Sequence, residues 1–389
     1  MPFKKYSIAI LGSTGSIGKT SLKILEQYPN KFKINLISGN SNKVLLEKQI
    51  KKFLPRYVII NNLKVFNYFK KIKFKKKILF FNSVHNFNKS NKIKFDKVIL
   101  GISSIHGLDY AFAFIKFSKK LLIANKETIV CGGNFFLQKA KKLNCEIISI
   151  DSEHYCLSSV IKNFNLNQIY KIYLTASGGP FLKKNINQIA KIDVGSALKH
   201  PNWKMGKKIS IDSATMANKG LEVIEASFLF NLNPEIIKIK IHKESKVHSI
   251  IVLKNGLTHL VSHNTSMTIP IKNSLLDFDK VLCKKNFFTK KKQFNFTFDE
   301  INLKKFKMLS LAYKALKYGQ RACIFYNVIN DYLVDLYLNK KIFYYEIHAI
   351  LNKIINNKKL IPYFRKKVTK LNDIYATINF AKNFANNQV

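Results

Sequence analysis

The chain has 389 residues, 67 of them Lys or Arg and 22 Asp or Glu, for a formal net charge of +45. That length predicts two or three domains, and the 47% hydrophobic content excludes wholesale disorder. Lysines are scattered along the chain (Lys70–Lys77, Lys119–Lys120, Lys183–Lys184, Lys290–Lys292) among abundant Asn, Ile and Phe, all residues of A- and T-rich codons. The charge therefore reads as composition rather than as a nucleic-acid surface.

In residues 1–150 short β-rich runs alternate with longer mixed ones. Strands are expected at Tyr6–Leu11, Lys33–Ser38, Tyr57–Ile60, Lys97–Gly101, Lys120–Ala124 and Cys145–Ile150. Helices are expected at Ser16–Gln27, Lys43–Phe53, Gly107–Phe117 and Glu127–Leu143. This alternation predicts an α/β domain, a Rossmann-like doubly wound parallel sheet with helices on both faces. Residues 151–276 are less regular and read as a central α+β catalytic domain. Residues 277–301 are rich in Lys, Phe and Asn without a period and read as a linker. From residue 302 to 389 an apolar spacing near 3.6 (Leu309, Leu316, Val328, Tyr332, Leu336) predicts a C-terminal α-helical domain.

Five cysteines (Cys131, Cys145, Cys156, Cys283, Cys323) form no C-x-x-C pair, which excludes a zinc ribbon and favours a reducing, cytoplasmic setting. No apolar run approaches the roughly 18 residues of a membrane span, and Tyr6–Leu11 runs into a glycine loop rather than a signal cleavage site.

That loop is Gly12-Ser13-Thr14-Gly15-Ser16-Ile17-Gly18, between the first strand and the first helix. Glycines there let the backbone turn sharply and approach a pyrophosphate at the helix N-terminus. The end of the second strand, Ser38-Gly39-Asn40-Ser41, has no acid between Glu26 and Glu47 to hold a ribose hydroxyl, so NADP is expected over NAD. Lys43 is one candidate to attract the 2′-phosphate.

Asp151-Ser152-Glu153 follows the sixth expected strand, on the carboxyl edge where open α/β sheets bind ligands. Two hard oxygen donors there could converge on a divalent ion, with Glu222 as the best candidate for a third donor, while Glu225, one turn on, could instead be a helix-surface charge. Asp151 could equally be the N-cap of the next helix. Lys126, in Ala124-Asn125-Lys126-Glu127 at the end of the fifth expected strand, could donate to a substrate oxygen or be an ordinary exposed lysine. Ser177-Gly178-Gly179, Ser213 ahead of an expected helix, and Asn218 with Lys219 supply hydroxyls, amides and an ammonium suited to a phosphate. His200-Pro201-Asn202-Trp203-Lys204-Met205-Gly206 carries the chain's one tryptophan and reads as a mobile lid around residues 197–208. His248 reads as a satisfied strand histidine without a role.

Taken together, the Gly12–Gly18 loop, Ala124–Glu127, Asp151-Ser152-Glu153-His154, Ser177–Phe181, His200–Trp203, Asp212–Met216 and Asn218–Glu222 resemble the 1-deoxy-D-xylulose 5-phosphate reductoisomerase family. Order and spacing agree to about residue 275, and more loosely at Leu309–Ala315 and around Asn327. The resemblance implies an enzyme of non-mevalonate isoprenoid biosynthesis that rearranges 1-deoxy-D-xylulose 5-phosphate and reduces the product with NADPH to 2-C-methyl-D-erythritol 4-phosphate. It implies Mg²⁺ or Mn²⁺ (Co²⁺ as a further option) on Asp151, Glu153 and Glu222, with these and Lys126 as catalytic groups. Ser152 and Lys126 would contact the hydroxyl end of the substrate, and Ser177, Ser213, Asn218 and Lys219 its phosphate. His200 and Trp203 would belong to the lid. Thr14, Gly15, Ser16, Ile17, Gly39, Asn40, Ser41, Asn125, Glu127 and Gly206 would line the cofactor. The family also implies a homodimer, with no specific nucleic-acid partner and no membrane association.

Two positions depart from the family pattern. Asn40 stands where a Lys or Arg is frequent, which loosens the expected NADPH preference, and Thr268 follows Met267 where an arginine is common. A dehydrogenase of another substrate on the same fold would leave the three carboxylates without a purpose. A basic nucleic-acid-binding protein would leave the glycine loop without one.

Overall fold

The structure is a computed structural model that describes residues 5–90, 93–189, 192–199, 206–276 and 295–387. The chain divides into two compact units: residues 1–128, 136–151 and 267–282 form the first, and residues 129–135, 152–266 and 283–389 the second.

The first unit alternates strand and helix in the order β1 (Tyr6–Leu11), α1 (Ser16–Leu25), β2 (Phe32–Gly39), α2 (Lys43–Phe53), β3 (Tyr57–Ile60), α3 (Leu63–Lys70), β4 (Leu79–Phe81), α4 (Val84–Ser90), β5 (Phe95–Leu100), α5 (Gly107–Phe114), β6 (Ser118–Ile123), α6 (Lys126–Lys142) and β7 (Glu146–Ser149). All seven strands pair in parallel, in the order β4-β3-β2-β1-β5-β6-β7. Burial on both faces explains the unbroken apolar runs Ile8–Leu11 and Val98–Leu100, all 0% exposed. The six expected strands are present within two residues of their expected ends. The short β4, with helices α3 and α4 around it, is an addition, because Leu79–Phe81 is only partly covered and carries no strong alternation. Asp151 therefore follows a seventh strand, and Asn125 a sixth. The expected helix from Glu127 starts at Lys126 and is broken at Gly133 (φ 50°, ψ −147°), where Gln320 Nε2 donates to the carbonyls of Cys131 and Gly132 at 3.0 Å each.

In the second unit come α7 (Ser152–Ile161), β8 (Ile169–Ala176), α8 (Ile186–Ile189), α9 (Val194–Ala197), α10 (Lys207–Thr215), α11 (Ala217–Leu229), β9 (Ile237–Ile241), β10 (Val247–Leu253) and β11 (Thr258–Ser262). Next along the chain is α12 (Thr268–Leu276), which returns to the first unit. Its Ile271, Leu275 and Leu276 join Ile8, Ile10, Leu22 and Leu25 in one core. Lys97, 2% exposed in β5, donates to the carbonyls of Ser274 (3.0 Å) and Leu275 (2.6 Å) and so caps the helix C-terminus with a cation. The second unit then resumes with β12 (Asp299–Glu300), α13 (Lys307–Tyr318), α14 (Gln320–Leu338), α15 (Tyr344–Ile355), α16 (Ile361–Phe364) and α17 (Leu371–Asn386). Its five-stranded mixed sheet has the order β11-β10-β8-β9-β12. The last residues of the expected linker are thus a strand, since Asp299 and Glu300 pair antiparallel with Ile241 and Lys240. The expected terminal helices α13–α17 are present. Among the described residues, no helix is long and apolar enough to cross a membrane.

Candidate active site

In the parallel sheet the strand order reverses between β1 and β5, which opens a crevice at their carboxyl ends. The glycine loop lies there. Gly12 turns at φ +83°, and a Cβ on it would come within 3.0 Å of Gly101 O, just past β5. A Cβ on Gly18 would collide with Gly12 O and the Ser13 backbone, so only glycine lets α1 start this close to its own strand. Ser13 is fully buried and locks the loop: its amide and hydroxyl both donate to Ser38 O, and its hydroxyl also contacts Gln49 Oε1 at 2.7 Å. Thr14, Gly15, Ser16 and Ile17 form the accessible rim, and α1 begins at Gly15 without a side-chain cap. This cradle fits the pyrophosphate of a dinucleotide.

Gly39, Asn40 and Ser41 close β2, with Asn40 and Ser41 exposed. Lys43 sits over the Tyr68 ring at 3.3 Å, so this ammonium is engaged by an aromatic face. Asn125 is 6% exposed at the mouth of β6; its Nδ2 donates to Ser104 O at 3.1 Å, while its Oδ1 has no partner among the described residues. A buried, unused acceptor beside the crevice fits a bound amide or hydroxyl donor. Glu127 is buried on the first turn of α6.

Lys126 Nζ is 2.9 Å from Asp151 Oδ2, and both side chains are nearly buried. Asp151 directly precedes α7, whose first turn carries Ser152 and Glu153. Carboxylates are favoured at this end of a helix by its partial positive charge. On α11 the spacing of Asn218, Lys219 and Glu222 places all three on one face. Asn218 Nδ2 donates to Glu222 Oε1 at 2.6 Å, and Lys219 Nζ bridges Glu153 Oε1 (2.6 Å) and Glu222 Oε2 (2.7 Å). Asp151, Glu153 and Glu222 each offer an oxygen within 4.8 Å of the others. Three hard oxygen donors at this separation fit Mg²⁺ or Mn²⁺, and the two ammonium groups offset part of their charge.

Glu225, expected as a helix-surface charge, is instead 1% exposed and lies against His154, which is fully buried on α7. Its Nε2 lies 2.9 Å from Glu222 O and its Nδ1 3.5 Å from Glu225 Oε2. Glu225 thus turns to the histidine, leaving Glu222 to face Glu153. His154 has no spacing signal that would mark this role in the sequence. His248, on β10, is 2% exposed, stacks on His263 with ring centres 3.9 Å apart and contacts His263 O at 3.3 Å. Burial lowers its pKa to about 4 and lowers that of His263, with the Glu153 carboxylate pulling the other way in both.

Ser213 lies in the last turn of α10, ahead of α11, and Met216 (φ 63°) joins the two helices. Gly179 (φ +66°) rests on this junction, since a Cβ there would come within 2.9 Å of Ser213 O. Ser177 opens the same turn, with Gly179 N 3.5 Å from its Oγ. Gly206 is the exposed N-cap of α10, so the end of the expected lid is helical from Lys207. His200 and Trp203 lie outside the described residues.

Comparison with known proteins decides between the candidate families. Residues 8–133 match the family described as 1-deoxy-D-xylulose 5-phosphate reductoisomerase, residues 147–230 its C-terminal domain, and residues 263–384 the DXP reductoisomerase C-terminal domain. The 1-deoxy-D-xylulose 5-phosphate reductoisomerase of Pelagibacter ubique is 40% identical over 377 residues, 94% of this chain and 95% of that protein. This chain belongs to the 1-deoxy-D-xylulose 5-phosphate reductoisomerase family. The Clostridium tetani reductoisomerase is 41% identical over 268 residues, 68% of each chain. A crystal structure of a reductoisomerase in complex with NADPH, fosmidomycin and magnesium superposes with a TM-score of 0.89 at 31% identity, covering 98% of both chains. The Zymomonas mobilis reductoisomerase in complex with NADPH gives 0.87 at 27% identity, again over 98% of both.

Proposed function

We propose that this reductoisomerase converts 1-deoxy-D-xylulose 5-phosphate to 2-C-methyl-D-erythritol 4-phosphate, using NADPH and a divalent cation, in the cytoplasm and as a homodimer. The observation that carries the reading is the convergence of Asp151, Glu153 and Glu222, a donor set that simple hydride transfer does not need. NADPH supplies a hydride and the divalent ion a Lewis acid for oxygens that gain charge during carbon–carbon cleavage and reduction.

The chain's own residues would divide the remaining work. Asp151, Glu153 and Glu222 hold the cation, with His154 fixing α7 against the Glu222 carbonyl. Lys126, 2.9 Å from Asp151, would donate to a substrate oxygen, and Ser152 would contact the same hydroxyl end. Ser177, Ser213, Asn218 and Lys219 take the phosphate, so binding energy remote from the reacting carbons orients them. His200 and Trp203 form part of the lid that excludes water. Thr14, Gly15, Ser16, Ile17, Gly39, Asn40, Ser41, Asn125, Glu127 and Gly206 line the dinucleotide. In this reading residues 1–150 bind cofactor, 151–276 carry the chemistry, 277–301 link, and 302–389 form a helical support.

NADPH oxidation by the purified protein with 1-deoxy-D-xylulose 5-phosphate tests the reading. Turnover should cease in EDTA and return on addition of Mg²⁺ or Mn²⁺. Turnover indifferent to the chelator would overturn the metal assignment.

A further inference from the structure

We infer that Tyr344 is a positioning residue for the substrate phosphate: its hydroxyl holds the last turn of α10, and its ring holds the Ser177–Phe181 turn. The inference rests on the proposed reading of these two segments as the phosphate cradle.

A helix leaves its last four carbonyls without intrahelical partners, and at the end of α10 the chain turns through left-handed Met216 straight into α11. Asp212 O receives the Thr215 hydroxyl at 3.2 Å, and Ser213 O receives the Met216 amide at 3.3 Å. Ala214 O receives its hydrogen bond from Tyr344 Oη, at 2.8 Å, from the start of α15. A residue more than a hundred positions away thus completes the helix end that carries Ser213.

The same side chain reaches the second segment. Its ring meets Phe181 edge-on, with centres 5.4 Å apart and planes at 90°, while Tyr337 packs on it from α14 at 5.8 Å. Gly178 and Gly179, both at positive φ, let the turn lie directly over Ser213 O, where any side chain at Gly179 would intrude. One aromatic therefore clamps the hydroxyl of Ser213 and the turn of Ser177 in fixed register. Tyr344 is 8% exposed, and burial pushes its phenol far above the ordinary range, so it remains a donor at every working pH.

The carbonyl end of a helix carries partial negative charge and repels a phosphate dianion. A hydroxyl donating to Ala214 O offsets part of that negative charge. Neither role touches the nicotinamide or the reacting carbons.

Tyr344→Phe keeps the ring and removes the hydroxyl. KM for 1-deoxy-D-xylulose 5-phosphate should rise about tenfold, and the inhibition constant of inorganic phosphate should rise in parallel, as for one lost hydrogen bond. The kcat and the NADPH dissociation constant should stay within twofold. Unchanged KM and phosphate inhibition would overturn the inference, as would an equal loss of NADPH affinity, which would mark a structural role only. Ser213→Ala and Asn218→Ala separate the two levels. If they weaken phosphate inhibition and Tyr344→Phe does not, this inference alone fails; if none of the three does, the reading of the cradle fails with it.

Discussion

Glu222 is 1% exposed and held on one oxygen by Asn218 and on the other by Lys219, so its carboxylate is oriented before any ligand arrives. Glu222→Gln preserves the shape and removes the charge. Turnover should fall by about a thousandfold or more, consistent with loss of several kcal/mol of charge stabilisation. NADPH binding, measured by fluorescence, should be retained; equal loss of both would make Glu222 a structural residue. His248 gives a second residue-scale expectation. Its pKa falls from the usual 6.5 to about 4 through burial. As pH drops below 6.5, the unfolded chain takes up a proton that folded His248 refuses. Stability is therefore full above that pH and declines below it, by up to about 1.4 kcal/mol per pH unit from this residue. Urea unfolding between pH 7.5 and 5 should show the decline, and His248→Gln should flatten part of it. An unaltered slope in the variant would remove His248 as a cause.

The turn from β1 into α1 has little freedom. Gly18 lies where a Cβ would strike Gly12 O and Ser13, backbone atoms that cannot move without displacing the loop from Ser38. Gly18→Ala should therefore widen the turn, cost roughly 1–3 kcal/mol as overpacked sites do, and weaken NADPH binding at least tenfold. A variant with wild-type NADPH affinity would show that the loop's closeness to α1 serves packing alone. The helix α12 illustrates the opposite dependence. Its sequence has weak amphipathicity, and its place is set by Lys97, which carries a buried ammonium to the carbonyls at its end.

For the whole molecule the open quantity is the charge of +45. It is what remains after all 22 acids are counted, and surface pairs such as Lys51–Glu47 and Lys119–Asp96 contribute little individually. Duplex DNA is expected to bind more weakly than about 1 μM at physiological ionic strength, with affinity falling steeply as salt rises. Salt-resistant, sub-micromolar binding in a fluorescence titration would instead make the lysines a recognition surface.

The residue types that carry chemistry were legible in the sequence because each motif is local. A strand running into Gly12–Gly18, an acid pair after a strand, and Asn218-Lys219 one turn ahead of Glu222 are short-range patterns whose geometry the backbone imposes. Expected strand and helix positions in the first unit agree with the structure for the same reason: continuous apolar runs and 3.6-residue spacing reflect burial on one or both faces. Other features depend on partners distant in sequence. Glu225 is buried rather than a surface charge because α7 packs against it, with His154, 71 positions upstream, 3.5 Å from its carboxylate. Asp299–Glu300 is a strand only because β9 offers it an edge, and the helix after Met267 joins the first core only because Lys97 and Ile8 are there to receive it. Local propensity names the groups; long-range burial and hydrogen-bond satisfaction decide which of them meet.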